Sequence, residues 1–187
     1  MGPTDHRSDE DLVAICNVGD AHEAARAFET LYRRHRDFVL RVARRFTHDR
    51  ELALDALQET FTYLLRKFPP VGEGLTLTAR LSTLLYPVAK SSAIDAVRKA
   101  RRHAGVADDV LAELPAEPAS EGEPIDAAFA GLSPERREVL TLRFVDDLSL
   151  AEIAAALDVP LGTVKSRLHL AIKELRNDSR IKDLFGL

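Results

Sequence analysis

The stretch "LSLAEIAAALDVPLGTVKSRLHLAIKEL", residues 148–175, decides how the whole chain is understood. Ser149 and Glu152 have the S-x-x-E spacing of a capping box, which starts a helix by satisfying backbone N–H groups at its first turn. Leu150, Ile153, Ala154 and Leu157 then share one face. "DVP" at 158–160 stops this helix after little more than two turns, and a second begins near Leu161–Thr163. In that second helix Val164, Leu168, Ala171, Ile172 and Leu175 form one apolar stripe. At 100° per residue the opposite face carries Thr163, Ser166, His169, Leu170 and Lys173, flanked by Lys165 and Arg167. Upstream, "LSPERREVLTLRFVDD" predicts a supporting helix with Ser133 as N-cap and Pro134 at its first position.

Two short helices at a tight turn, the second polar and cationic outward, are the pattern of a helix-turn-helix. Its second helix would enter a major groove. Ser166 and His169 are candidates for base edges, and Lys165, Arg167 and Lys173 for phosphates or a guanine. The competing reading is a helical hairpin in a bundle whose solvated face happens to be basic. Spacing, turn and charge together favour the helix-turn-helix.

Across 187 residues the net charge is −4, unexpected for a DNA-binding protein until its distribution is considered. Residues 1–105 hold 17 Lys/Arg against 14 Asp/Glu, 106–131 hold none against 7, and 132–187 hold 9 against 9, so the acidity comes from the middle. That middle, "VADDVLAELPAEPASEGEPIDAAFAG", also has three prolines and two glycines, and reads as a flexible acidic linker. The segments beside it are balanced or basic, so both can meet nucleic acid.

Upstream of the linker the chain is helical with clear punctuation. A first helix covers roughly 9–18, with Ser8 or Asp9 as N-cap, and "GD" at 19–20 ends it and caps the next. In that second helix Phe28, Leu31, Tyr32, Phe38, Val42 and Phe46 recur near helical spacing. "THDRE" separates it from "LALDALQETFTYLLRKF", which Pro69 and Pro70 stop. A loop, "PPVGEGLTLT", leads to a last helix at about 77–102, with a kink or break expected near Tyr86 because of Pro87. Strand signals are absent. The expected fold is all-α: two small helical domains, 1–104 and 132–187, joined by the acidic linker 105–131.

Several function classes find no support. No phosphate-binding glycine motif, zinc-protease motif or nucleophile elbow occurs. Cys16 is alone, which leaves neither a disulfide nor a cysteine-rich metal site. No metal or other cofactor is expected, nor catalysis. The polar, acidic N-terminus is not a signal peptide, no apolar run suits a bilayer, and a cytoplasmic protein is expected.

"LSPERREVLTLRFVDDLSLAEIAAALDVPLGTVKSRLHLAIKELR" resembles the fourth conserved region of bacterial sigma factors of the sigma-70 family, in its extracytoplasmic-function (ECF) subgroup. "DALQETF", 55–61, resembles the second sigma region, and "SSAIDAVRKARR" the part that reads the −10 element. The resemblance implies a factor that directs core RNA polymerase to promoters. It implies clamp-helix contacts at Asp55, Gln58, Glu59 and Phe61, where a polar patch at i, i+3 and i+4 lies beside apolar residues. It implies −10 contacts at Arg80, Lys90, Ser91, Arg98, Lys99 and Arg102, with Arg101 nearby, and a base-capturing loop at about Pro69–Thr78. The −35 element would fall to Thr163, Lys165, Ser166, Arg167, His169, Leu170 and Lys173. The implied partners are core polymerase (clamp helices and flap), promoter DNA and an anti-sigma factor or other inhibitory regulator. The chain departs from the family at several points. It has no tryptophan, with Leu65 and Leu84 where that residue is expected, Ser91 where asparagine is common, and Leu170 where arginine is frequent. Two rival readings are a free-standing helix-turn-helix regulator and a pure interaction module.

Overall fold

The computed structural model describes residues 6–104, 129 and 131–177. These divide between two compact units, Met1–Gly105 and Val106–Leu187, and every regular element among them is helical. The expected acidic linker and the tail from Asp178 onward lie outside the described residues, apart from Phe129 and Gly131 of the linker.

In the first unit α1 (Asp9–Val18) starts with a capping box. Ser8 Oγ accepts the Asp11 N–H at 3.1 Å, and Asp11 Oδ2 accepts the Ser8 N–H at 3.1 Å. The helix ends where the Gly19 N–H meets the Ile15 carbonyl at 2.8 Å. A Cβ at Gly19 would lie 2.7 Å from that carbonyl, so only glycine fits the junction. Asp20 then caps α2 (Ala21–Arg44), its Oδ1 accepting N–H bonds from His22 and Glu23, both 2.9 Å. Asp49 does the same for α3 (Arg50–Leu65), accepting from Glu51 and Leu52.

α4 (Leu81–His103) packs through a strict four-residue repeat, Leu81, Leu85, Ala89, Ala93 and Val97, all buried. Ala93 meets Ala43 of α2 and Ala53 and Ala56 of α3, with Phe46 at the rim. Alanine at this junction lets three helix backbones approach closely, and a larger side chain would overpack it. At the other end Phe28 stacks edge-on against Phe61 and Phe68, each at 6.3 Å, and Tyr32 lies 4.7 Å from Phe61.

Two expectations for α4 need correction. It begins at Leu81 rather than 77, because Arg80 is still extended (φ −54°, ψ 145°). Of the kink or break expected near Tyr86, the break does not occur: the helix continues through Pro87. Proline removes one N–H, yet its ring points to solvent while Leu85, Tyr86 and Ala89 are fully buried around it. Packing on either side outweighs the missing bond.

The second unit comprises α5 (Pro134–Phe144), α6 (Leu150–Leu157) and α7 (Leu161–Asn177). Leu132, Leu140 and Ala171 form its core, with Phe129, Leu168 and Leu175 against it. Val139, Leu142, Leu148, Ile153 and Val164 are also fully buried. Ser133 holds the N-cap position of α5 with Pro134 following, but its side chain makes no bond to the helix backbone. Glu135 takes that role: its carboxyl is held below the usual range by its own backbone N–H and by the Ser133 hydroxyl.

Asp9 ties α1 to α2, receiving Arg34 Nη1 at 2.9 Å and lying 2.6 Å from His35 Nε2. The His35 hydrogen bond is the main reason its carboxyl is held below 3.8. A carboxyl lowered on folding contributes stability above its unfolded pKa and loses it as pH falls through the folded value. Asp9→Asn should therefore lower the midpoint of thermal unfolding by a few degrees at pH 7. The gap to the parent protein should close below about pH 4, as a pH series of melting curves would show.

Candidate nucleic-acid interface

The helix-turn-helix is built by its two ends. Ser149 Oγ accepts the Glu152 N–H at 3.2 Å, and Glu152 Oε2 accepts the Ser149 N–H at 2.8 Å. At the other end Asp158 is left-handed (φ 52°, ψ 49°). The Val159 N–H reaches the Ala154 carbonyl at 3.0 Å and the Asp158 N–H the Ala155 carbonyl at 3.4 Å. This is a Schellman turn with aspartate where glycine is usual. The Pro160 carbonyl then accepts from Thr163 at 2.9 Å and Val164 at 3.3 Å, which opens α7.

α7 buries Val164 and Ala171 completely and partly buries Leu168 and Leu175. Ile172, expected in the same stripe, is instead 38% exposed. Glu174, on another side of α7, forms an ion pair with Arg136 of α5. On the outward face Lys165, Ser166, His169 and Lys173 are exposed, Leu170 is 41% exposed, and Thr163 and Arg167 are half-buried. All seven candidate residues thus lie on, or at the edge of, one accessible surface.

An open groove of about 630 Å³ runs beside them, bordered by Thr163, Ser166, Arg167 and Leu170 and, across it, Ser133 and Glu135. The Glu135 carboxylate is stabilised in part by Arg167, so this arginine has an acidic neighbour that the local motif does not reveal. A Cβ at Gly162 would meet nothing within 4 Å. The protein's own packing does not require glycine there.

In the first unit Asp55, Gln58 and Glu59 are exposed on one face of α3. Leu54 and Tyr63, 37% and 36% exposed, accompany them. Phe61 differs: it is 5% exposed and held in the aromatic cluster, so it supports the patch from beneath. On α4, Ser91, Arg98 and Arg102 share a stripe at spacings of seven and four, and Ser91 and Arg98 are exposed; Arg102 and Lys99 continue the exposed surface toward the helix end. Asp95 interrupts the stripe, near Arg98 at 3.9 Å. Lys90 lies about a quarter-turn away, half-buried, its Nζ 5.9 Å from the Phe46 ring. Arg80 is exposed just before the helix. A second groove, about 490 Å³, has Glu59, Tyr63 and Arg66 on one wall and Leu84, Pro87, Val88 and Ser91 on the other. It brings Glu59 and Ser91, to which the family resemblance gives different tasks, to one cleft. The apolar wall residues of α4 carry no sequence signal of their own, because the same residue types serve the core.

Among the described residues no cluster of His, Cys, Asp or Glu suits a metal ion, and no helix is long and apolar enough to cross a membrane. The described architecture is thus a helical bundle with a polar-faced helix pair, and a separate helix-turn-helix unit. Residues 31–103 match the family description "Sigma-70 region 2", and residues 122–175 match "Sigma-70, region 4". The chain is 29% identical over 171 residues to the ECF RNA polymerase sigma factor SigW of Bacillus subtilis, spanning 82% of this chain and 89% of SigW. It is 33% identical over 168 residues to the ECF sigma factor SigL of Mycobacterium tuberculosis, spanning 84% and 92% of the two chains. Two solved structures share the fold. CnrH, solved in complex with the cytosolic domain of CnrY, has a TM-score of 0.61 at 22% identity, with 90% and 94% coverage of the two chains. RpoE of Bartonella quintana, solved with the anti-sigma factor NepR, has a TM-score of 0.59 at 21% identity, with 86% and 97% coverage.

The chain belongs to the sigma-70 family of RNA polymerase sigma factors, in its ECF subgroup. It is a promoter-directing transcription initiation factor and not an enzyme.

The Asp158 turn sets the angle between α6 and α7, and a left-handed residue with a Cβ costs about 1–2 kcal/mol. Asp158→Gly should raise the stability of the second unit, and Asp158→Val should lower it by about 1–2 kcal/mol relative to the glycine variant, read by urea unfolding.

Proposed function

We propose that residues 1–104 hold core polymerase and the −10 element, that 132–187 hold the −35 element, and that 105–131 tether the two. In this reading Asp55, Gln58 and Glu59 meet the clamp helices, with Phe61 fixing α3 beneath them. Arg80, Lys90, Ser91, Arg98, Lys99 and Arg102 follow the melted −10 strand. Thr163, Lys165, Ser166, Arg167, His169, Leu170 and Lys173 face the −35 duplex, while the second unit also meets the flap. The protein works in the cytoplasm, where polymerase and DNA are. The observation that carries this reading is the division of α7: its apolar stripe closes the unit's own core and its cationic face is left to solvent.

Neither unit needs high affinity alone. Once one is seated, the tether raises the effective concentration of the other at its site. Polymerase supplies most of the positive charge, which is how a chain of net charge −4 acts on DNA. RpoE, solved with the anti-sigma factor NepR, supports an anti-sigma factor or other inhibitory regulator here.

Lys165→Ala combined with Arg167→Ala should cut run-off transcription from a cognate promoter about tenfold or more and leave core binding unchanged. The log–log salt slope of −35 duplex binding should fall by about one unit for each phosphate that the variant no longer neutralises. Normal transcription by the double variant would remove α7 as the reading helix.

Asp55→Ala combined with Gln58→Ala should weaken binding to core polymerase in a pull-down titration by about tenfold, since each deletes a partner for a cationic helix. Because both residues are exposed, the melting temperature should not change.

A further inference from the structure

The loop between α3 and α4 is anchored from a distant part of the chain. Asn17, near the end of α1, donates from Nδ2 to the Leu75 carbonyl at 2.8 Å, and the Leu75 N–H donates to Asn17 Oδ1 at 2.8 Å. This paired amide contact spans 58 residues of sequence. It also determines which end of the Asn17 amide faces which backbone group, since a flipped amide would set like groups against each other. The neighbouring geometry is built around the contact. Gly74 is left-handed at φ 104°, and a Cβ there would stand 3.0 Å from Asn17 Oδ1. The Gly74 N–H meets the Lys67 carbonyl at 2.9 Å and the Gly72 N–H the Phe68 carbonyl at 2.8 Å. A Cβ at Gly72 would fall 2.3 Å from the Lys67 carbonyl. Phe68, 3% exposed, holds the near end of the loop against Phe28.

The result is a short bridge fixed at both ends. Leu75 is held by Asn17, Leu81 is buried at the start of α4, and the segment 76–80 spans the gap. Within it Thr76, Thr78 and Arg80 are exposed. We propose that Asn17 is a positioning residue for base recognition: its clamp on Leu75 pre-orders the 76–80 bridge so that it can receive an unpaired nucleobase. The inference rests on the reading of the loop at about Pro69–Thr78, which the bridge overlaps at 76–78, as the base-capturing loop of the −10 element. A flipped base has already given up its stacking, and a receiving loop that must also be ordered on contact would add a second cost. The clamp removes that second cost before DNA arrives. Thr76 and Thr78, whose hydroxyls can donate and accept, are the groups offered to the base edge.

The test uses holoenzyme assembled from the full chain and core polymerase, with a pool of randomised single-stranded DNA sequenced before and after retention. The parent protein should enrich one base at one or two adjacent positions. Asn17→Ala should flatten that preference roughly tenfold, in line with the removal of two hydrogen bonds, while core affinity and −35 duplex binding stay unchanged. Gly74→Ala, which leaves α1 intact, should flatten the same positions. The double change Thr76→Ala and Thr78→Ala serves as the reference for the loop itself. If that change flattens the preference and Asn17→Ala does not, the positioning role is wrong and the loop assignment stands. If Asn17→Ala lowers retention of all sequences and core affinity together, Asn17 serves only the fold, and the proposal also fails. If neither the threonine change nor the Asn17 change alters the preference, the loop does not read the base and both statements are overturned.

Discussion

Each described helix has one apolar stripe and must bury it within its own unit. α4 commits Leu81, Leu85, Ala89, Ala93 and Val97, and α7 commits Val164 and Ala171 with the edges of Leu168 and Leu175. Apolar burial drives folding in proportion to area, so these stripes are occupied before any partner arrives. What remains on each helix is its polar face, open to a partner. The division of faces makes small units sufficient, because polymerase and DNA need only surface chemistry held at a fixed angle.

The angle is controlled by small residues within the core and by caps and a turn at the helix ends. Alanines at positions 43, 53, 56 and 93 let α2, α3 and α4 approach. Asp20, Asp49 and the Ser149–Glu152 box begin helices at single defined residues, and the Asp158 turn reverses the chain between α6 and α7. The caps and the turn are local devices that take up no core volume. Together they turn three short helices into a presenting surface for α7 and four into a bundle whose α3 and α4 share a cleft.

Much of this was legible from residue spacing. Capping residues marked the starts of α1, α2 and α6 because their hydrogen bonds lie within three residues. The outward face of α7 followed from its period alone. Other readings went astray where distant packing intervened. Pro87 predicted a kink or break near Tyr86, and of the two the break does not occur, with buried neighbours on both sides of the proline. Ile172 fits the apolar stripe by spacing, yet no described element reaches far enough to cover it. Phe61 lay beside a polar patch in sequence and turned out to belong to an aromatic cluster with Phe28 and Tyr32.

The sequence by itself determined the all-helical class, the helix-turn-helix, the separation of basic and acidic stretches, and the family resemblance. The first three rest on local period, capping and composition, which neighbouring residues decide among themselves, and the fourth on the particular residues at 55–61, 91–102 and 132–176. Only the tertiary structure decided that Asn17 grips Leu75, that Glu59 and Ser91 share a cleft, and that Glu135 faces Arg167. Those contacts join residues many turns apart, and no repeat along the chain encodes a meeting that exists only once the helices have packed.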